Sequence, residues 1–176
     1  QVSSAASDVY KRQTQFEPTA ARMAFPCWDE PEFKAIFSIA LTTDSDLIRI
    51  SNEKVLNEST ENNRTTTKFV DSMRMSTYLV AFVVGKLEVS EIGSSKTTDV
   101  GIVHRPGFSD QTNFAGTAAI KILDFFEDYY GINYPGSKLD LIAIPDFAMG
   151  AMENVGAVTF RETLLLIDVE KATRAE

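Results

Sequence analysis

The chain holds 176 residues, 44% hydrophobic and 24% charged, a profile that supports a buried core and argues against disorder by composition. Its 25 acidic residues outnumber 17 basic ones for a formal charge of −8, and no basic run carries interleaved aromatics, which argues against a nucleic-acid partner. An acidic surface suits cationic ligands, although a solvated acidic face is the commoner reason for such a balance.

In chain order, residues 1–13, "QVSSAASDVYKRQ", are small and polar without sustained period and read as a disordered or foreign leader. The stretch "TQFEPTAARMAFPCWDEPEFKA" follows, Thr14 to Ala35. In an extended segment Gln15 and Glu17 alternate with Phe16 and share one side. Cys27 is the only cysteine, so no intrachain disulfide forms, and its apolar neighbours suggest a buried thiol.

Residues 33–43 and 47–55 are apolar or alternating and predict strands. "ESTENNRT" (58–65) reads as a polar turn region. "TTTKFVDS" and "STYLVAFVVGKLEVSE" continue the β pattern, the second as one long buried strand, and residues 96–106 supply another. Strands at short spacing predict a β-sandwich or similar sheet domain. Asn57 in "NES" and Asn63 in "NRT" fit the glycosylation sequon, which tilts the expected localisation towards the cell surface or secretory pathway. No apolar run of about 18 residues marks a membrane span, and no apolar signal core opens the chain.

The period switches after Pro106. Phe114, Ala118, Ile122, Phe125, Phe126 and Tyr129 recur at steps of three and four, predicting a helix over 109–131 with that face turned to the core. Ser109 or Asp110 is the expected start cap and Gly131 the expected stop. "KLDLIAIP" and "GAVTFRETLLLID" read as further strands. The expected organisation is a leader over 1–13, a mostly β domain over 14–106, and the start of an α/β domain over 107–176. One helix and two strands make a thin core for that last part, and the polar "VEKATRAE" closes nothing, so the chain reads as truncated.

The stretch "DFAMGAMENVGAVTF", Asp146 to Phe160, sets small residues and one carboxylate, Glu153, between two apolar segments. A hairpin turn with an incidental charge would explain it. So would an exposed strand edge to which a peptide adds by main-chain hydrogen bonds, with Glu153 fixing its charged end.

Together the two stretches resemble the zinc aminopeptidases related to aminopeptidase N. "TQFEPTAARMAFPCWDEPEFKA" is similar to a signature of their N-terminal domain, and "DFAMGAMEN" to their G-A-M-E-N exopeptidase motif. Residues 113–147, "NFAGTAAIKILDFFEDYYGINYPGSKLDLIAIPDF", look like the start of their thermolysin-like catalytic domain. The resemblance covers about residues 14–170, in the family's order. It implies a β-sandwich-like N-terminal domain followed by the first α/β portion of the catalytic domain. The implied activity is removal of single residues from peptide N-termini, with Glu153 binding the free α-amine and Glu17 joining it. Gln15 would line the pocket for the first side chain, and the backbone at Gly150 and Ala151 would pair with the peptide. Met149, Met152 and Asn154 complete the expected substrate-binding set.

The departures are equally specific. His104 is the only histidine, and an H-E-x-x-H zinc helix needs two imidazoles one turn apart. Zinc is therefore expected in the intact enzyme and not on this chain, which by itself is expected to be inactive. Its implied partners are peptides with a free amine and the remainder of the catalytic domain. Val155 stands where many relatives have tryptophan, and residues 1–13 match nothing expected before the Q-x-E segment. The alternative is a non-catalytic peptide-binding or regulatory product.

Overall fold

A computed structural model describes residues 11–172. The strands of its first half are β1 (Lys11–Gln13), β2 (Ala40–Asp44), β3 (Ile48–Ser51), β4 (Val55–Glu61), β5 (Arg64–Phe69) and β6 (Phe82–Gly85). β7 (Glu88–Ser94), β8 (Asp99–His104), helix α1 (Asn113–Tyr130), β9 (Lys138–Ile144), β10 (Ala151–Met152), β11 (Ala157–Arg161) and the short α2 (Glu162–Leu165) follow. The chain forms two compact units. One runs up to Lys86 and regains Asn154–Ala157; the other comprises Leu87–Glu153 and the residues from Val158.

The first unit carries two antiparallel three-stranded sheets, ordered β1-β6-β3 and β2-β5-β4. Most of the expected leader, residues 1–10, lies outside the described residues, whereas Lys11–Gln13 pair with Gly85–Val83 of β6. Residues 58–65, expected as a turn region, are instead mostly strand. β4 runs to Glu61, pairs with β5, and turns only at Asn62 and Asn63, whose φ angles are +49° and +61°. Asparagine is among the few side chains that tolerate that conformation, as two-residue hairpins require. Threonine pairs then bridge the strands of this sheet, Thr60–Thr65 between β4 and β5 and Thr42–Thr66 between β2 and β5, at 2.8 Å each.

The long strand expected in "STYLVAFVVGKLEVSE" is broken. Thr77–Leu79 form a single 3₁₀ turn, β6 begins at Phe82, and β7 belongs to the second unit. A core of Phe16, Ala21, Met75 and Val80, with Phe25, Phe37 and Val155 against it, fills the first unit. Buried Asp29 accepts from Thr77 Oγ1 at 2.6 Å and from the backbone N–H and Nε of Arg22 at 3.0 and 3.3 Å. Trp28 stays exposed, its ring 6.2 Å from that of Phe33.

In the second unit five strands are ordered β10-β11-β9-β8-β7. β8 and β9 run parallel, Asp99 opposite Lys138 through Val103 opposite Ile142, with α1 as the crossover. The compact units change over at Leu87, because β7 and β8 hydrogen-bond into the sheet that contains β9.

α1 ends at Gly131, at φ +65°, as expected. Its start is a 3₁₀ turn over Ser109–Gln111, and its N-cap position is Thr112 rather than Ser109 or Asp110, with no side-chain cap bond. The larger correction concerns its orientation. Ala115, Ala119 and Leu123 pack on the core of Ile102, Leu139, Leu141 and Ala143, while Phe114, Phe125 and Tyr129 are 60%, 61% and 70% exposed. The helix approaches β7 too closely for large residues: a Cβ on Gly116 would lie 2.4 Å from Cγ1 of Ile92. Phe125 stacks on Tyr129 and Phe126 on Tyr130, each pair at 18°.

Candidate functional site

The motif segment lies beyond β9, whose seven residues are all buried. After β9 the chain turns at Asp146, φ +55°, and runs through an exposed loop over 148–150 into β10. Two features fix this loop. Arg161 donates from Nε to the Phe147 carbonyl at 2.9 Å and from its terminal nitrogen to the Ala148 carbonyl at 2.6 Å. The backbone N–H of Arg161 donates to the Gly150 carbonyl at 2.9 Å, extending a ladder in which Ala151 faces Phe160 and Met152 faces Thr159. Arg161 was not anticipated from the sequence; its tie to a loop 14 positions earlier leaves no local signature.

Strand alternation then sorts the motif. Ala151 and Glu153 are exposed, while Met152 and Asn154 are 0% and 1% exposed. Met149 and Gly150 are exposed with Glu153, whereas Met152 and Asn154 are enclosed by the fold although they were expected among the substrate contacts. The Nδ2 of Asn154 is buried without a hydrogen-bond partner. β10 is the terminal strand of its sheet, and among the described residues no strand lies beyond it. Gly150 has space around it: an added Cβ would meet only Leu164 Cδ1 at 3.6 Å, an ordinary contact.

In the first unit, Gln15 and Glu17 directly follow β1. Thr14 prolongs the ladder, its N–H donating to the Phe82 carbonyl at 3.1 Å and its Oγ1 accepting from the Phe82 N–H at 3.0 Å. Gln15 is half-buried, Phe16 is 2% exposed and Glu17 is exposed, so alternation holds for Phe16 and Glu17. Phe16 and Val155 belong to one core. The Q-x-E segment and the residue following the motif asparagine thus meet inside the first unit, while Glu153 is the last residue of the second unit before that return.

Metal chemistry finds no donor set here. His104 is fully buried with both ring nitrogens engaged. Its Nδ1–H donates to the Arg105 carbonyl at 2.7 Å, so Nε2 accepts from the Ser90 hydroxyl at 2.8 Å. Among the described residues no group of three or more His, Cys, Asp or Glu side chains is placed to hold a metal ion, so the residues described do not fit a zinc site. No described helix is long and apolar enough to cross a membrane.

Comparison with known proteins agrees with the motif pair. Residues 8–79 match the Peptidase M1 N-terminal domain and residues 114–176 the Peptidase family M1 domain. The chain is 49% identical to Aminopeptidase M1-B of Oryza sativa subsp. japonica, over 88% of this chain and 18% of that protein. It is 48% identical to Endoplasmic reticulum aminopeptidase 2 of Homo sapiens, over 93% of this chain and 17% of that protein. With Puromycin-sensitive aminopeptidase of Caenorhabditis elegans the figure is 42%, over 92% and 17%. The chain spans under a fifth of the length of these relatives. With both domain patterns matched in order, the chain belongs to peptidase family M1, carrying its N-terminal domain and the start of its catalytic domain.

Proposed function

We propose that this chain supplies the substrate-amine-binding part of an aminopeptidase that removes single residues from peptide N-termini. The observation that carries the reading is the place of the motif. Ala151–Met152 is the terminal strand of its sheet, and the exposed carboxylate of Glu153 follows at once. A peptide can add to such an edge through main-chain hydrogen bonds. Glu153 at the end of that edge would receive its α-ammonium; the roles of Glu17 and Gln15 rest on the resemblance of the Q-x-E segment alone.

Family M1 is zinc-dependent in general, and the intact enzyme would take its metal from residues other than those described here. The role of this chain is therefore to bind and orient, and no bond-breaking step is assigned to its residues. A secretory route is part of the proposal, since Asn57 and Asn63 of the two sequons are both exposed on the β4–β5 hairpin. A mobility shift on enzymatic removal of N-glycans would support it, and an unmodified protein recovered from secreting cells would reject it.

The reading is tested by Glu153→Gln in the intact enzyme. Loss of a charge-assisted hydrogen bond of about 1.5–3 kcal/mol should lower kcat/KM for free-amine substrates roughly ten- to a hundredfold. Unchanged turnover would reject the role of Glu153.

A further inference from the structure

Resting on that reading of Glu153, we infer that Asn52 is a positioning residue for the motif. Asn52 follows β3, is 1% exposed, and has all three carboxamide bonds directed at backbone. Its Nδ2 donates to the carbonyls of Leu79 and Val155, both at 2.8 Å, and its Oδ1 accepts from the Ala81 N–H at 2.9 Å. Two of the three ties fix the strand entry at 79–81. The third holds a residue 103 positions away, two after Glu153.

That carbonyl belongs to a tight turn. The Ala157 N–H donates to the Asn154 carbonyl at 3.0 Å, and Gly156 has φ +71°, the value a type II turn needs at its third residue. In such a turn the carbonyl of the central peptide, here Val155, takes no part in the turn's own hydrogen bond. Two peptide orientations compete there, and a buried donor at 2.8 Å selects one of them. The Val155 side chain is held too, in the core with Phe16 and Val80. The backbone leaving Glu153 is thus anchored at its second residue by side chain and main chain together. Asn52 touches no substrate atom; it sets the direction in which the Glu153 carboxylate is presented.

The test uses the intact enzyme and three variants of this region. Asn52→Asp keeps the acceptor for Ala81 and removes both donors. Asn52→Ser replaces the two carboxamide donors by a single hydroxyl on a shorter side chain, without placing a charge in the core. Ser51→Ala, which loses only the 2.9 Å bond from Ser51 Oγ to the Ala81 carbonyl, reports on general weakening of the same strand. With one charge-assisted contact misaligned, both Asn52 variants should raise KM for an aminoacyl substrate about tenfold while kcat stays within about twofold. They should weaken a free-amine competitive inhibitor equally and leave binding of its N-acetylated analogue unchanged. Ser51→Ala should lower Tm and leave KM alone.

If Glu153→Gln raises KM and the folded Asn52 variants do not, the inference fails and the reading of the site survives. If Glu153→Gln itself changes nothing, both fail. Loss of folding in both Asn52 variants would also overturn it, making Asn52 a residue of the core alone.

Discussion

Arg161 and Phe147 are joined by a 2.9 Å hydrogen bond from the guanidinium Nε to the backbone carbonyl, and the same guanidinium spans to Ala148. A planar fork serves two successive carbonyls from two nitrogens held in fixed geometry, which the single nitrogen of an ammonium on a flexible stem does not reproduce. Arg161→Lys should therefore loosen the loop over 147–150 while keeping its charge. Hydrogen exchange should show faster exchange there, with a loss of only about 1 kcal/mol in global stability, since the contact is partly solvated. Equal protection in the two proteins would count against this assignment.

Gly150 offers a cleaner separation of fold from function. Because an added Cβ would make only an ordinary contact at 3.6 Å with Leu164, Gly150→Ala should change the unfolding free energy by no more than a surface substitution does, about ±0.5 kcal/mol. If a substrate backbone lies against Gly150, the same methyl should raise KM of the intact enzyme markedly. An unaltered KM would show that no backbone approaches there.

The acid limb of stability should depend on Asp29. Burial alone would raise its pKa, but the bonds from Thr77 and Arg22 outweigh that and hold it below the usual carboxylate range. A depressed folded-state pKa contributes stability above the unfolded value of about 3.9, and that contribution is lost as pH falls through the folded value. Urea midpoints measured from pH 2 to pH 7 should fall below about pH 4 in the parent chain, and more shallowly in Asp29→Asn. Parallel curves would exclude Asp29 as a contributor.

A polypeptide of these 176 residues should release no chromophore from aminoacyl substrates, because the described residues bring together no zinc donor set. Turnover by a preparation free of contaminating peptidase, sensitive to Glu153→Gln, would refute this.

Sequence patterns revealed the motif pair because each motif is contiguous, "TQFE" just after β1 and "GAMEN" at the sheet edge. They also placed β8, β9 and the body of α1, whose periodicities are strong. They misassigned the face of α1, since periodicity shows that one side differs from the other and not which side a sheet will accept. The tight contact of Gly116 with Ile92 decided that in favour of alanine and glycine. Residues 58–65 looked like a loop because threonine, asparagine and glutamate are polar, yet a strand exposed at every position needs no apolar alternation. Asn52 and Arg161 were illegible because their partners are backbone groups, which carry no side-chain signature.

The single tryptophan, Trp28, belongs to the first unit, whereas the adjacent pair Tyr129 and Tyr130 closes α1 in the second. Tyr78 adds a phenol to the first unit, so the indole is the label confined to one unit and the coupled tyrosine pair the one peculiar to the other. Emission excited at the red edge of the protein band reports on the first alone. The near-ultraviolet dichroism of coupled rings 5.0 Å apart weights the second. One sample, melted once and watched at two wavelengths, therefore distinguishes units that unfold together from units that unfold apart.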